Sequence, residues 1–385
     1  MIIQSRRVWA AGMWLAAQIV TEGDKILKIQ PIDKEKPDQD YGSDRIVPGF
    51  IDIHTHGAYG FDTNDAEPEG LRRWAGRLPS EGVTAFLPTT ITQSEEVLTA
   101  ALQNVAAVAE EGYEGAEILG VHLEGPYLDQ KYKGAQPEQY CVLPDVEQFA
   151  RYRAASGDRI RIITMACEHD ADFALTRYCA ANGIVVSQGH SGASFDEACL
   201  AVANGARSMT HVHNGMPPYH HREPSLVGAA YRLAQCYSEI ICDGNHVTAA
   251  ALYNFFAAKG ADHGIMITDS LLLKGLAAGS TGIFGGNPIE MGANGSAYLT
   301  GTNTLAGSTL SMDRGLSFLT QVAQVPWDAA INACTINPAR LLGVDDRKGS
   351  IAAGKDADMV VLFSDGSVRD VYARGRRQSV FPKEA

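Results

Sequence analysis

The fold of this chain is first indicated by residues 51–60, which read IDIHTHGAYG. Apolar residues alternate in IDI, as is typical of a β-strand, and Gly57 ends the run. Side chains two residues apart point to the same face of a strand, so His54 and His56 project together from its end. Two imidazoles in this arrangement can hold one metal ion. An isolated His-x-His pair favours instead two exposed histidines at the end of a strand, so the metal interpretation depends on ligand-type residues at other strand ends.

Eight short β-type runs recur along the chain, with helix-type segments between them. The intervening SEEVLTAALQNVAAVAEEG and SFDEACLAVANGA each have a capping serine, helical spacing of apolar residues and a closing Gly. Eight strands, each followed by a helix, predict an α/β fold of the (β/α)8 TIM-barrel type, with its active site at the carboxyl ends of the strands. The predicted strands are 46–53, 83–88, 118–123, 160–166, 184–187, 207–210, 238–242 and 265–268.

The segments outside this rhythm are expected to pair with each other. Residues 1–45 and 345–385 contain strand-like runs, and we expect them to form one small β-sandwich domain beside a barrel hydrolase domain of residues 46–344. The remaining predicted elements are an irregular Gly-rich insert at 270–307 and helices at 308–323 and 326–341.

Composition indicates a folded protein without a basic face. Of the 385 residues, 45% are hydrophobic and 20% are charged, as in globular domains. The net charge of −13 argues against nucleic acid or an anionic membrane as a partner, because both select basic surfaces. No run reaches the ~18 apolar residues of a membrane span. The seven cysteines form no CxxC pair, and Gly12 interrupts the signal-like SRRVWAAGMWLAAQIV, so we expect a folded β-segment there and a cytoplasmic protein.

Side chains that can bind a metal occur where five of the predicted strands end. Imidazoles and carboxylates that converge at a barrel mouth suit Zn²⁺ or Fe²⁺, with open positions for water. Polar core residues without a common role would be scattered relative to the strand ends. The candidates are His54, His56, Glu124, His190, His211 and Asp269.

Other histidines have less specific signals. His122 and His213 each lie two residues from a candidate ligand. Each either orients that ligand through a hydrogen bond or is an unrelated neighbour, and both roles stay open. His169 and His263 are expected at the surface or in loops.

Taken in order, the motifs HTHG, HLEGP, GHS, THVHNGM, HREP, DGNH, TDS and TLAGSTLSMD resemble the N-acetylglucosamine-6-phosphate deacetylase family of the amidohydrolase superfamily. The resemblance extends from IVPGFIDIHTHG to GSIAAGKDADMVV. It implies metal-dependent hydrolysis of the acetamide of N-acetylglucosamine-6-phosphate to glucosamine-6-phosphate and acetate. It also implies a small sugar phosphate as the partner and a homodimer as the assembly. N-acetylgalactosamine-6-phosphate, or the substrate of another amidohydrolase, stays open as an alternative.

The resemblance also implies roles for the candidate ligands. Glu124, His190 and His211 would bind the principal divalent metal, while His54 and His56 would form a second site that Glu124 bridges. Some members of the family lack the histidines of the first strand and use a single metal. One or two ions of zinc or iron per chain are therefore expected.

The same resemblance assigns the chemistry and the substrate contacts. Asp269 would be the general base that takes a proton from water and later delivers it to the leaving amine. His246 would donate a hydrogen bond to the amide carbonyl, unless it is an exposed loop residue. Some relatives have His in place of Gln136, which leaves the preference between sugar epimers open. The implied substrate-binding residues are Ala135, Gln136, Asn214, Gly215, Arg222, His246, Leu305, Ala306 and Gly307.

Rival functions are less well supported. Amidohydrolases of the dihydroorotase type bridge two metals with a carbamylated lysine on the fourth strand, but no lysine occurs between Lys133 and Lys259. Serine hydrolysis through Ser191 requires Gly two residues later, where this chain has Ala193. A binding barrel without catalysis would have little reason to keep Asp269 beside a full set of ligands.

Overall fold

The structure of the protein is a computed structural model that describes residues 1–381. The chain opens with strands of a mixed sheet, in which β2 pairs antiparallel with β1 and β3 while β4 and β5 run parallel to β1. The expected β-segment at the amino-terminal end is therefore confirmed as β1 and β2. The strands are β1 (Ile2–Ala10), β2 (Met13–Glu22), β3 (Lys25–Pro31), β4 (Gln39–Asp40) and β5 (Arg45–Pro48).

Parallel strands then build the predicted barrel in the order β9, β11, β12, β13, β14, β15 and β16, with β6 and β10 each paired to β9. The gap between β16 and β6 is spanned where the Asp269 amide donates to the His54 carbonyl at 2.8 Å. The elements are β6 (Phe50–Thr55), the hairpin β7 (Gly57–Ala58) and β8 (Phe61–Asp62), β9 (Val83–Thr90), β10 (Glu117–Ile118), β11 (Val121–Glu124), β12 (Ile160–Met165), β13 (Val185–Gln188), β14 (Ser208–Met209), β15 (Tyr237–Ile241) and β16 (Gly264–Ile267).

Helices follow the strands as the (β/α)8 pattern requires. Ser94 caps the second helix through the Val97 amide, and Ser194 forms a capping box with Glu197, as the sequence signals predicted. No helix of residues 1–381 is long and apolar enough to cross a membrane. The helices are α1 (Pro68–Arg77), α2 (Glu95–Glu111), α3 (Val146–Ala155), α4 (Ala174–Ala181), α5 (Phe195–Ala203), α6 (Ser225–Arg232), α7 (Ala249–Lys259), α8 (Met312–Ser317), α9 (Trp327–Cys334) and α10 (Ile336–Leu342).

The prediction of one strand over 46–53 was wrong. β5 pairs with β1 in the sheet of the chain ends, whereas β6 belongs to the barrel. Gly49 separates them where the backbone passes Thr84, and a Cβ at this glycine would lie 2.1 Å from Thr84 Oγ1. Only glycine allows this close approach, so the single apolar run 46–53 contributes one strand to each of two sheets.

Two further expectations need correction. The insert is not irregular throughout, because β17 (Thr281–Phe284), β18 (Asn287–Met291) and β19 (Ala297–Leu299) form an antiparallel sheet. The helix predicted at 326–341 is broken between α9 and α10 at Thr335. Pro338 has no amide to donate to the Cys334 carbonyl, so the first helix cannot continue through it.

The carboxyl-terminal strands complete the first sheet, which confirms that the two ends of the chain pair. β20 (Met359–Leu362) lies between β5 and β21 (Val368–Ala373), and β22 (Arg376–Arg377) follows β21. The division into domains at 45/46 and 344/345 stays a prediction, and residues 382–385 lie outside the described part of the chain.

Beside this sheet, a buried lysine connects the end of the chain to the barrel. Lys348 Nζ contacts Glu117 at 2.8 Å, Asp356 at 3.0 Å and Asp358 at 2.6 Å. Glu117 belongs to barrel strand β10, whereas both aspartates precede β20. The ion pairs therefore join the barrel to the sheet of the chain ends.

Candidate metal centre and active site

The six candidate residues meet at the carboxyl end of the barrel. His54 and Glu124 lie in β6 and β11, whereas His190, His211 and Asp269 each follow their strand by two residues. These last three adopt positive φ angles of 47°, 26° and 50°. That region is sparsely populated outside glycine and costs of the order of 1–3 kcal/mol, so it persists where the surrounding structure fixes it. The sharp turn at each strand end directs a side chain into the barrel mouth.

Glu124 lies at the centre of this cluster and is 1% exposed. Its Oε1 is 3.2 Å from Nε2 of both His190 and His211. Its Oε2 is 3.3 Å from His56 Nε2, and its Oε1 is 3.4 Å from His54 Nε2. One carboxylate is thus shared between a pair of histidines from late strands and the pair from the first strand.

Asp269 completes the cluster on the side of the first strand. Its Oδ1 lies 3.2 Å from His56 Nε2 and 3.6 Å from His54 Nε2. The residue is 8% exposed and lines a cavity. Its carboxylate therefore faces both the histidine cluster and the cavity.

Hydrogen bonds hold the second ring nitrogen of three of these histidines. His190 Nδ1 donates to the Tyr132 carbonyl at 2.9 Å, and His211 Nδ1 donates to the Asn214 carbonyl at 3.1 Å. His54 Nδ1 donates to a carboxylate oxygen at 2.9 Å. Carbonyl and carboxylate oxygens only accept, so Nδ1 carries the proton and Nε2 of the neutral ring presents a lone pair.

These lone pairs make the cluster suitable for a cation. Nε2 of His54 has no hydrogen-bond partner in the described residues, and neither does Nδ1 of the buried His56. Nε2 of His190 and of His211 face each other at 3.1 Å, where at most one can donate. Lone pairs directed at one another and at a carboxylate require a proton or a metal ion between them. The residues therefore fit a divalent metal.

The charges in the cluster also favour a bound cation. Burial disfavours a charged His56, but Asp269 and Glu124 outweigh it and raise the pKa of this histidine to about 9. Burial would also raise the pKa of Asp269, yet His56 and His54 lower it to about 2. The imidazoles of His54 and His190 likewise hold the pKa of the buried Glu124 well below its usual range. Both carboxylates are thus ionised at neutral pH, and a cation competes with protons for the imidazoles.

A cavity of about 240 Å³ opens beside the cluster. It brings together most of the residues that the sequence assigned to substrate. Ala306 is instead buried in the core of the insert, while Leu305 and Gly307 on either side of it reach the cavity. The lining residues are His56, Glu124, Gly134, Ala135, Gln136, His190, His211, Asn214, Gly215, His246, Asp269, Phe284, Thr304, Leu305 and Gly307.

Arg222 lies apart from this cavity. It is exposed, its Nη1 is 2.8 Å from His221 Nε2, and it does not line the cavity. Within residues 1–381 its guanidinium contacts His221 and forms no ion pair with Glu223, so the alternative of an Arg222–Glu223 pair has no direct support. The role of Arg222 in binding phosphate stays a prediction.

Gln136 links the cavity to the metal cluster. Its Oε1 accepts from the Thr92 amide at 2.8 Å, which fixes the orientation of the side chain. Its Nε2 consequently donates to Glu124 Oε2 at 2.6 Å. Gln136 therefore orients Glu124 and also lines the cavity. Its contact with a sugar hydroxyl stays a prediction.

His246, His122 and His213 have different surroundings. His246 lines the cavity, and its Nδ1 is held by Asp243 Oδ2 at 2.7 Å, so it is not an exposed loop residue. His122 is buried with its ring 4.5 Å from that of His54, whereas His213 contacts Tyr231. Only His122 therefore packs against a candidate ligand.

Among the residues at the site that sequence reasoning missed, Glu239 and Phe284 make the clearest contacts with the candidate ligands. Glu239 in β15 accepts the hydrogen bond from His54, and the signal for it was a carboxylate inside the apolar run SEIICDG. Phe284 in β17 packs its ring 5.2 Å from that of His56 and lines the cavity. Its location depends on a sheet that the sequence did not predict.

Comparison with known proteins agrees with this fold. A sequence profile of the Amidohydrolase family matches residues 45–377, and the chain belongs to this family. The N-acetylglucosamine-6-phosphate deacetylase of Bacillus subtilis (strain 168) is 40% identical over 360 residues, which cover 90% of each chain. The N-acetylgalactosamine-6-phosphate deacetylase of Escherichia coli O157:H7 is 31% identical over 379 residues, which cover 98% of this chain and 99% of that protein.

A solved structure extends the similarity to three dimensions. It is a mutant N-acetyl-D-glucosamine-6-phosphate deacetylase from Mycobacterium smegmatis in complex with N-acetyl-D-glucosamine-6-phosphate. The two chains superpose with a TM-score of 0.93 at 28% identity, and the match covers 98% of each. The barrel predicted from the sequence is thereby confirmed.

Proposed function

We propose that this chain hydrolyses the acetamide of N-acetylglucosamine-6-phosphate to glucosamine-6-phosphate and acetate. The observation that carries the proposal is the convergence of Glu124 and four imidazoles beside Asp269, next to a cavity. The Bacillus subtilis relative and the Mycobacterium smegmatis complex support the choice of substrate. The relative that acts on the galacto epimer is less similar, at 31% identity, so we favour the gluco epimer.

Divalent metal is held by the imidazole and carboxylate cluster in this proposal. Glu124, His190 and His211 would hold the principal ion, and His54 and His56, together with Glu124, would hold a second. When bound, the cation polarises the amide carbonyl and makes water more acidic. The donor set suits zinc or iron, in one or two ions per chain. Elemental analysis of the purified protein identifies the metal and counts the ions.

Asp269 transfers the proton in this proposal. As the water oxygen attacks the carbonyl carbon, Asp269 accepts one proton from that water. When the carbon–nitrogen bond breaks, the same carboxyl group returns the proton to nitrogen, so the sugar leaves as an amine and the acyl group as acetic acid. The acid then loses its remaining proton to solvent and becomes acetate. The distances of 3.2 and 3.6 Å to His56 and His54 support this role, because they locate the carboxylate beside the metal centre.

His246 stabilises the charge that develops on the amide oxygen. Asp243 holds Nδ1 at 2.7 Å, which leaves Nε2 for the substrate. Because the Asp243 carboxylate only accepts, Nδ1 carries a proton, and the ring donates from Nε2 to the carbonyl oxygen when both of its nitrogens are protonated. Its place in the cavity wall supports this assignment.

Selective binding of the phosphate needs a positioned cation, because a chain with a net charge of −13 repels a dianion at long range. We assign this role to Arg222, whose planar guanidinium suits two phosphate oxygens. Asn214, Gly215 and the segment Leu305–Gly307 contact the rest of the substrate, and all but Ala306 reach the cavity.

Acetate release from the 6-phosphates of both N-acetylated epimers tests the proposed function. We expect turnover of the gluco substrate with a higher kcat/KM than for the galacto substrate. A preference for the galacto epimer would reverse the assignment, and turnover of neither compound would reject it.

The assembly and the location of the protein complete the proposal. We propose a homodimer, as the resemblance to this family implies, and light scattering of the purified protein tests it. We also propose a cytoplasmic location, which is supported by seven cysteines without a disulfide in residues 1–381. Fractionation of the source cells tests that location.

A further inference from the structure

One carboxylate inside the barrel has no role in the proposed reaction. Glu239 is 0% exposed, and its Oε2 lies 2.9 Å from His54 Nδ1. Its other oxygen, Oε1, has no hydrogen-bond partner among the described residues. Burying a carboxylate is costly unless its charge is compensated, so its presence calls for a physical reason.

Glu239 does not form a separate metal site with His54 and His122. Ligand-type atoms of His54, His122 and Glu239 lie within 4.8 Å of one another. However, His122 Nδ1 donates to the Ile53 carbonyl at 2.9 Å, and its Nε2 is 2.7 Å from Thr164 Oγ1. Both ring nitrogens of His122 are therefore engaged in hydrogen bonds, and within residues 1–381 the Glu239 side chain hydrogen-bonds only to His54.

We infer that Glu239 is a positioning residue that determines whether the His54 and His56 side of the centre retains a second metal ion. By accepting from Nδ1 of His54, it fixes the tautomer and directs the Nε2 lone pair towards Glu124 and Asp269, which lie 3.4 and 3.6 Å away. A carboxylate partner of this kind also strengthens a histidine as a metal ligand. The inference rests on the proposed function for the location of the second metal.

The four histidines differ in a way that supports this inference. His190 and His211 are held by neutral backbone carbonyls, and His56 Nδ1 has no partner in the described chain. His54 alone among them has an anionic partner at its Nδ1. Two divalent ions bring four positive charges to a buried site where Glu124 and Asp269 supply only two negative ones. The charge of Glu239 lowers this excess at the second ion.

Two substitutions separate the charge of Glu239 from its hydrogen bond. Glu239→Gln keeps a carbonyl oxygen that accepts from Nδ1 but removes the charge, whereas Glu239→Leu removes both. Ser238→Ala is the matched control, because Ser238 is the preceding residue in β15 and its buried hydroxyl has no partner in the described residues. Metal-stripped samples are titrated with Zn²⁺ and Co²⁺, with ions per chain counted by mass spectrometry and Co²⁺ absorption recorded.

We expect two ions in the wild type and in Ser238→Ala. Glu239→Gln should bind the second ion about 10–100-fold more weakly, and Glu239→Leu should keep one ion. A wild type that holds one ion, or a Glu239→Gln variant with wild-type affinity for the second, would overturn the inference. If circular dichroism shows that Glu239→Leu does not fold, Glu239→Gln decides. Because the titration uses no substrate, failure to release acetate would contradict the proposed function and leave this result unaffected.

Discussion

Replacing Asp269 by Asn removes the proposed proton acceptor with little change in shape. Asn has nearly the same size and tolerates the positive φ of 50° at this position. A general base typically contributes about 10²–10⁴ in rate. The other carboxylate of the cluster, Glu124, is surrounded by four imidazoles and cannot substitute. We therefore expect kcat to fall by about 10³–10⁴, which equals about 4–5.5 kcal/mol.

The assay measures acetate release together with the metal content of the same sample, since Asp269 also lies close to the histidines of the first strand. Asp62→Asn is the matched control. Asp62 is another buried carboxylate, and its Oδ1 accepts from the Asn64 amide, a bond that Asn preserves. We expect this control to stay within a few-fold of the wild type. An Asp269→Asn enzyme with full metal content and a rate within a few-fold of the wild type would refute the proton-transfer role.

Other changes test the metal, the phosphate and the fold. His54→Gln combined with His56→Asn should lower the metal count yet leave one ion and measurable turnover, whereas a comparably mild His211→Ala would contradict this hierarchy. Arg222→Ala should lower kcat/KM for the phosphorylated substrate by about 10–150-fold, or about 1.5–3 kcal/mol, and leave unphosphorylated N-acetylglucosamine unchanged. An equal loss for both would reject the phosphate contact. Lys348→Met should reduce the free energy of unfolding by about 3–5 kcal/mol in urea titrations, because the buried Asp358 loses its one ion-pair partner within the described residues, while Glu117 and Asp356 keep Arg347. A loss below about 1 kcal/mol would contradict this.

The barrel could be predicted because its signals are local. Each strand is a short apolar run, and Ser94 and Ser194 mark helix starts through bonds to nearby amides. The split between β5 and β6 could not be predicted in the same way. Both halves of IVPGFIDI are apolar, and their assignment to different sheets depends on partners that are distant in the sequence. The sheet β17–β19 was missed because its short strands lack a clear apolar period and are separated by turns that contain glycine.

The candidate site was predictable to the extent that its residues stand at strand ends. His190, His211 and Asp269 share that position, and the barrel geometry brings them together. Glu239 was missed because it lies within its strand and acts through His54. The place of Arg222 outside the cavity depends on the path of a long loop, which residue pattern alone does not specify.

Metal removal and restoration is the most direct test of the central claim, that this cluster performs metal-dependent deacetylation. Acetate release from N-acetylglucosamine-6-phosphate is measured before chelation, after chelation and dialysis, and after stepwise addition of Zn²⁺ or Fe²⁺ under anaerobic conditions. We predict that activity disappears with the metal and returns in proportion to the ions bound per chain. A chelated enzyme that contains no detectable metal and still releases acetate at the original rate would contradict the account.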